Sequence, residues 1–171
     1  MNAMVGEDRP EGFRRVAAAL AERGHPHAPL WLEVSARTCA EAAEALGVAT
    51  GQIAKSVIFR SKSAGPGGER AVLVVTSGDR RVDTAKVAAL VGPVGRADAD
   101  FVKARTGFSI GGVSPLAHAS EPLVLVDREL FRFDAVWAAA GHPNGVFRAS
   151  PDELLALTGA PAADVTESDG A

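Results

Sequence analysis

Lys55 stands between Ile53-Ala54 and the apolar run Val57-Ile58-Phe59, which places an ammonium at the mouth of a strand bound for the interior. Such a lysine either lays its stem along apolar surface with the charge in water or aims that charge at a ligand. Gly111-Gly112-Val113-Ser114-Pro115 is the second candidate. Glycine lets successive backbone N–H groups converge on an acceptor oxygen, and the same residue types also make a plain tight turn feeding an edge strand. The third is His142 in Gly141-His142-Pro143-Asn144-Gly145, a turn of the kind from which scaffolds project functional groups. His25 and His27 stand two apart in a proline-flanked loop, where an extended chain can offer both rings to a metal, but no third ligand accompanies them, which favours surface histidines. Cys39 falls in the first turn of a helix with no base identifiable beside it, and reads as a small hydrophobe. No G-x-G-x-x-G, Walker loop or G-x-S-x-G elbow occurs, so nucleotide cradling and serine-hydrolase chemistry lack their usual supports.

The elements that must carry these groups are legible from periodicity and caps. Phe13, Val16, Ala17, Leu20 and Ala21 predict an amphipathic helix over 11–23, stopped by Gly24. A short strand is expected over 30–34. Thr38 and Glu41 then form a capping box for a helix ending at Gly47. Three β-rich runs, 57–59, 71–75 and 123–126, are nearly continuous in apolar residues and predict a sheet covered on both faces, the first two joined as a hairpin through 63–68. Asp83 and Asp98 open two short helices, over 83–91 and 98–104. Strands are expected over 135–140 and 146–148. Ser150, Pro151 and Glu153 start a final helix through Leu157. The segment 161–171 is polar and small-residue rich and is expected to be a flexible tail, leaving one compact α/β domain over 1–160.

Composition sets the bounds. With 171 residues, 47% hydrophobic and 23% charged, the chain can bury one sizeable core. No stretch approaches the ~20 apolar residues of a membrane span, and acidic and Arg residues interrupt 1–22 where a secretory core would lie. A soluble, cytoplasmic protein is expected. The net charge of −3 removes any global argument for a polyanion partner. A nucleic acid would have to be met by a local set such as Lys55, Arg60, Lys62, Arg80, Arg81, Lys103 and Arg105. The single cysteine cannot form an internal disulfide, and no Cys/His spacing suits zinc.

Taken together, Gln52-Ile53-Ala54-Lys55-Ser56, Arg105-Thr106-Gly107-Phe108-Ser109-Ile110-Gly111-Gly112-Val113-Ser114-Pro115-Leu116 and Gly141-His142-Pro143 resemble the YbaK/EbsC family from about Trp31 to about Leu157. This family includes free-standing relatives of the editing domain of bacterial prolyl-tRNA synthetase. The resemblance implies a curled, barrel-like mixed sheet flanked by helices, and hydrolysis of the ester joining a wrong amino acid to the 3′ end of tRNA. It implies that Lys55 contacts the terminal adenosine or its phosphate. It implies also that the amides of the 111–115 loop, including Gly111 and Gly112 as the catalytic pair and Val113, Ser114 and Pro115 as substrate contacts, hold the ester carbonyl. His142 would bound the amino-acid pocket, and Thr38 falls at a family pocket position although it also explains itself as an N-cap. No metal and no cofactor are implied, the attacking water being activated by the substrate. The positions at which the cysteine-removing members carry Ser and Asp align with Ala140 and Phe147, which argues against cysteine and for alanine, with serine or threonine behind it. The partner implied is mischarged tRNA, tRNA(Pro) or a related one, with help from a synthetase or an elongation factor. Two other readings stay open on the residues alone: a non-catalytic aminoacyl-tRNA-binding or regulatory module of the same fold, and a metal-dependent hydrolase built on His25/His27 or His142.

Overall fold

The computed structural model describes residues 9–62 and 69–168. A central strand with a continuous apolar run, 71–75, organises the fold. Strand β3 (Ala71–Ser77) is buried along its whole length. Because successive side chains leave a strand on opposite faces, Leu73 and Val75 enter one core and Val72 and Val74 the other. The first core receives Phe13, Val16 and Leu20 of helix α1 (Glu11–Glu22), Phe108 and Leu116 of the glycine-loop segment, and Leu154 and Leu157 of helix α5 (Pro151–Thr158). The second receives Val87 of α3 (Thr84–Val91), Leu125 of β5 (Leu123–Asp127) and Val165. A sheet covered on both faces is therefore what the apolar runs encode.

Among the described residues, eight strands form one mixed sheet in the order β1 (Leu30–Trp31), β7 (Gly145–Ala149), β6 (Val136–Ala139), β2 (Ile53–Ser61), β3, β5, β8 (Ala162–Ala163), with β4 (Val94–Arg96) paired to β2 beside this path, and five helices flank it. β2 and β3 make the expected antiparallel hairpin, with Lys55 opposite Thr76. Their connecting loop, 63–68, lies outside the described residues. β3 runs parallel to β5, and β2 parallel to β6 (Val136–Ala139). β7 (Gly145–Ala149) pairs antiparallel with both β6 and β1 (Leu30–Trp31).

Every expected helix forms, and the caps act as read. Thr38 and Glu41 close a capping box on α2 (Cys39–Leu46), and Ser150 and Glu153 close another on α5. The Asp83 carboxylate accepts from the Ala85 and Lys86 amides, and that of Asp98 accepts from the Phe101 amide at the start of α4 (Ala99–Thr106). The differences lie where tertiary partners decide. Strand β1 stops at Trp31 rather than running to 34, because its partner strand begins at Gly145; beyond it the Leu32 amide still bonds the Asn144 carbonyl, and the turn 141–145 offers no further strand. β4, between Gly92-Pro93 and Ala97, was not expected from so glycine-rich a stretch; β2 supplies its partner.

The C-terminal segment is the main correction. Residues 161–168 are not a frayed tail: β8 (Ala162–Ala163) pairs parallel with β5, Val165 is fully buried and Thr166 bridges to Val82. Lys86 Nζ fastens it from α3, 3.0 Å from the Asp164 carboxylate and 2.7 Å from the Thr166 carbonyl. One valine among polar neighbours is too weak a pattern to show in sequence, yet it fills the second core. Among the described residues no helix is long and apolar enough to cross a membrane.

Candidate active site

Strand β2 opens the site by losing a neighbour. The Gly78 amide bonds the Ile53 carbonyl and the Ser61 amide bonds the Arg70 carbonyl, each at 2.8 Å, so the odd-numbered residues of β2 turn their backbone groups to β3. The even-numbered residues turn theirs the other way. Ala54 meets β6 at Ala138, and Arg60 meets β4 at Gly95. Between them neither strand reaches, and the N–H and C=O of Ser56 face an open edge with the Ser56 hydroxyl buried and unpartnered beside them. An unpaired strand edge inside a protein is a row of ready donors and acceptors.

The opening continues into a cavity of about 690 Å³, walled by Lys55 to Ile58 of β2, by Trp137 to Ala139 of β6, by Ala36 to Ala40 at the start of α2, by Ala97 and Val102, by Ile110, Gly111 and Val113, and by His142 and Pro143. No aspartate or glutamate lines it; Lys55 and Arg37 are its formal charges among the described residues. Lys55 makes no hydrogen bond or ion pair with any described residue. Unpaired, with no carboxylate on the wall to hold it, this ammonium is available to an anionic or carbonyl-bearing ligand.

The glycine loop follows α4. Gly111 has φ +98, a conformation that L side chains rarely adopt, and it lines the cavity with Val113. The Gly112 amide donates to the Ser109 carbonyl at 3.1 Å. The Gly112 amide is thus spent inside the loop. Among described residues the Gly111 and Val113 amides have no acceptor and both residues line the cavity, while Gly112 serves a tight approach: a Cβ there would lie 2.7 Å from His142 Cα. Ser114 and Pro115 lie buried behind the wall, with the Ser114 hydroxyl accepting from the Leu116 amide.

His142 projects from the β6–β7 turn. Its Nδ1 accepts from the Asn144 amide at 3.0 Å and its ring lies against Trp31, with centroids 4.8 Å apart. Nδ1 is thus an acceptor, the proton of the neutral ring sits on Nε2, and burial holds the ring below the ordinary histidine range. No carboxylate orients it. Thr38 and Cys39 border the cavity from the N-terminus of α2, Thr38 spending its hydroxyl on the Glu41 amide. Burial raises the Cys39 thiol, against an opposing pull from Lys55, which keeps it protonated and a poor nucleophile. His25 turns away to the Arg148 carbonyl, 2.7 Å from Nε2, and no group of three His, Cys, Asp or Glu side chains among the described residues is placed to hold a metal.

The structure thus gathers Lys55, Gly111, Val113, His142 and Thr38 at one cavity, and adds Ser56, Trp137, Ile110 and Arg37, which the sequence reading missed. Of these, Ser56, next to the lysine, and Ile110, next to Gly111, lie in the quoted motifs and had a signal available; Trp137 and Arg37 had none. The open edge is a matter of register between distant strands. The basic set divides: Arg80 pairs with Asp79 and Glu129, Arg60 pairs with Glu69 and Lys103 bonds the Gly107 carbonyl, whereas Lys55 lines the cavity.

The two partly buried rings, His118 and His142, give a stability signature. Burial lowers the affinity of His118 and His142 for a proton below the ordinary value of 6.5, so the unfolded chain takes up protons first and stability falls as pH drops through 6.5 toward the folded values. Melting temperature is expected to stay level above about pH 7 and decline toward about pH 5, before the carboxylates titrate. A His118→Gln, His142→Gln double variant should flatten that decline. A wild-type melt independent of pH across this window would refute the assignment.

An α/β domain whose cavity combines an open strand edge, a free ammonium and a glycine loop is equipped to bind an acyl group and the anionic piece attached to it. The comparisons agree. Residues 33–157 match the family model for the aminoacyl-tRNA editing domain, and the chain belongs to this family. It is 37% identical over 123 residues to the uncharacterized protein YwhH of Bacillus subtilis, covering 71% of this chain and 75% of that one. It is 27% identical over 126 residues to a protein of Enterococcus faecalis named "Putative Cys-tRNA(Pro)/Cys-tRNA(Cys) deacylase EbsC", covering 72% and 74%. Among solved structures it resembles "a putative trans-editing enzyme for prolyl tRNA synthetase" (TM-score 0.83, 42% identity, 94% of this chain and 100% of that one). It also resembles the hypothetical protein APE2540 (TM-score 0.80, 35% identity, 90% and 99%).

Proposed function

We propose that this chain is a trans-editing deacylase that hydrolyses the ester between a small, wrongly attached amino acid, alanine first, and the 3′ end of tRNA(Pro) or a related tRNA. The observation that carries this reading is the unpartnered Lys55 beside an open strand edge, in the same cavity as the free amides of Gly111 and Val113. In the proposed step the lysine holds the terminal nucleotide as a point charge, and the two amides donate to the ester carbonyl and stabilise the oxyanion that forms on it. Water, activated by the adjacent hydroxyl of the terminal ribose, adds to the acyl carbon. The bond to the ribose oxygen then breaks, and that oxygen takes the proton, releasing free amino acid and tRNA. No metal takes part, so chelators should leave the rate unchanged.

A second sieve of this kind is needed because one methylene is worth only ~1–3 kcal/mol in a synthetase pocket. Alanine suits a wall of Ala, Val, Ile and Trp side chains without a carboxylate. Cysteine is disfavoured because the positions at which the cysteine-removing members of the family carry Ser and Asp are held here by the apolar, buried Ala140 and Phe147. The test is a deacylation panel with alanyl-, seryl-, threonyl- and cysteinyl-tRNA: alanine should be released fastest. Tight binding of alanyl-tRNA without release would replace this reading by the non-catalytic module.

His142 should bound the amino-acid pocket. Its Nδ1 is occupied by the Asn144 amide and no acid orients the ring, so it is poorly set up as a general base. His142→Ala is expected to keep appreciable alanine release while larger aminoacyl groups gain about tenfold, because removing a wall changes exclusion more than proton transfer. An equal loss for every aminoacyl group, with a wild-type rate that follows a histidine titration, would reassign the ring to catalysis.

A further inference from the structure

The glycine loop is latched at its base and at its centre. At the base, the Ala119 amide bonds the Thr106 carbonyl at 2.9 Å and the Ser120 amide bonds that of Arg105 at 2.8 Å, closing 107–118 into one loop. Arg15 reaches across from α1, donating from Nε to the Ala117 carbonyl at 3.0 Å and from Nη2 to that of Thr106 at 2.9 Å. Ala117 has φ +66, in the left-handed region that a non-glycine residue adopts only when its surroundings demand it. That turn folds the next residue back on the loop: His118 Nε2 stands 2.6 Å from the Ser114 carbonyl, and its ring meets Phe108 edge to face.

A carbonyl only accepts, so Nε2 carries the proton, and Nδ1 is left as a buried acceptor with no partner. Burial and the neighbouring Arg15 both disfavour a second proton, which keeps the ring neutral. A phenylalanine would fill this apolar corner without orphaning a nitrogen. An unpartnered buried acceptor is costly, and it is tolerated here beside a short bond from the other ring nitrogen. Ser114 follows Val113 directly, so the carbonyl that His118 holds fixes the Ser114–Pro115 peptide, two peptide units beyond the one that carries the Val113 N–H.

We infer that His118 is a positioning residue: its Nε2–H anchors the Ser114 carbonyl and thereby aims the Gly111 and Val113 amides into the cavity. The inference rests on the reading of this loop as the carbonyl-binding element. It assigns His118 no contact with substrate and no proton to move.

The test compares His118→Phe, which keeps the shape and removes the donor, with His118→Gln, whose side-chain amide can place an N–H near the position of Nε2. Steady-state deacylation of alanyl-tRNA and hydrogen exchange of the 110–116 amides are measured on the full chain. In His118→Phe, kcat should fall about tenfold or more with KM within about twofold, and the loop amides should exchange faster. His118→Gln should recover most of both. Full activity in His118→Phe, or equal damage in the two variants, overturns the assignment. If the wild type releases no amino acid from any tRNA of the panel, the proposed function fails, and exchange still decides on His118: faster loop exchange in the Phe variant alone supports the anchor, and unchanged exchange overturns it.

Discussion

Lys55→Ala is expected to lower single-turnover deacylation by about 10²-fold or more, as losing a charge-assisted contact that strengthens toward the transition state does. Its thermal stability should stay within about 0.5 kcal/mol of wild type, the usual effect of a side chain without structural partners. The two expectations have one origin. Lys55 lies on the central hairpin opposite Thr76, yet its ammonium bonds no described residue, so the fold uses its backbone and stem and leaves the charge to a ligand. Lys55→Arg should not restore the rate fully, because a planar fork differs in reach and hydration from a compact ammonium. Rates measured with enzyme in excess over alanyl-tRNA, paired with melting curves, separate the outcomes. An unchanged rate in Lys55→Ala would remove the lysine from the mechanism, and a collapsed melt would make it a structural residue.

What could be read in the sequence was what neighbours along the chain decide. Thr38-Glu41 and Ser150-Glu153 satisfy each other within one turn, so their boxes are encoded by four residues and appear in the structure as written. The unbroken apolar run 71–75 likewise makes both of its own faces apolar, whatever covers them. The cavity is different in kind. It exists because β6 leaves β2 after Ala54 and β4 joins it only at Phe59, and that gap is a relation among three strands far apart in sequence. The motif around Lys55 could nominate the lysine but could not show that Ser56 presents its backbone to a ligand.

The same distinction sorts the glycine loop. Gly-Gly implies freely placed amides, but which amide is spent depends on the chain's path, and here Ser109 takes that of Gly112. Distance along the chain also hid the partners of the charges: Arg80 finds Glu129 and Arg60 finds Glu69, at 3.4 and 3.7 Å, so a count of basic residues overstated how many remain for a phosphate backbone. What survives beside the cavity suits a weak, salt-sensitive attraction.

Gly112→Ala is expected to be the more damaging of the two glycine substitutions, with a loss of about 10²-fold or more in deacylation, the scale set by misplacing an oxyanion donor. A Cβ at 112 would lie 2.7, 2.8 and 3.0 Å from His142 Cα, N and C, all backbone atoms that no rotamer change can move aside. The loop bearing the Gly111 and Val113 amides and the turn bearing the pocket-wall histidine would have to separate, which costs about 1–3 kcal/mol in a well-packed site. A Cβ at Gly111 meets only Pro143 Cγ, at 3.8 Å, so Gly111→Ala acts through its left-handed φ of +98 alone and should keep more activity. Because Gly112→Ala also displaces His142, it should broaden amino-acid selectivity as His142→Ala does, and the double variant should be less selective by clearly less than the product of the two single effects. Deacylation rates for alanyl- and threonyl-tRNA across this cycle test the argument. Wild-type rates in both glycine variants would leave the loop a turn with no part in catalysis, and strict multiplicativity would mean that Gly112 and His142 act independently despite their contact.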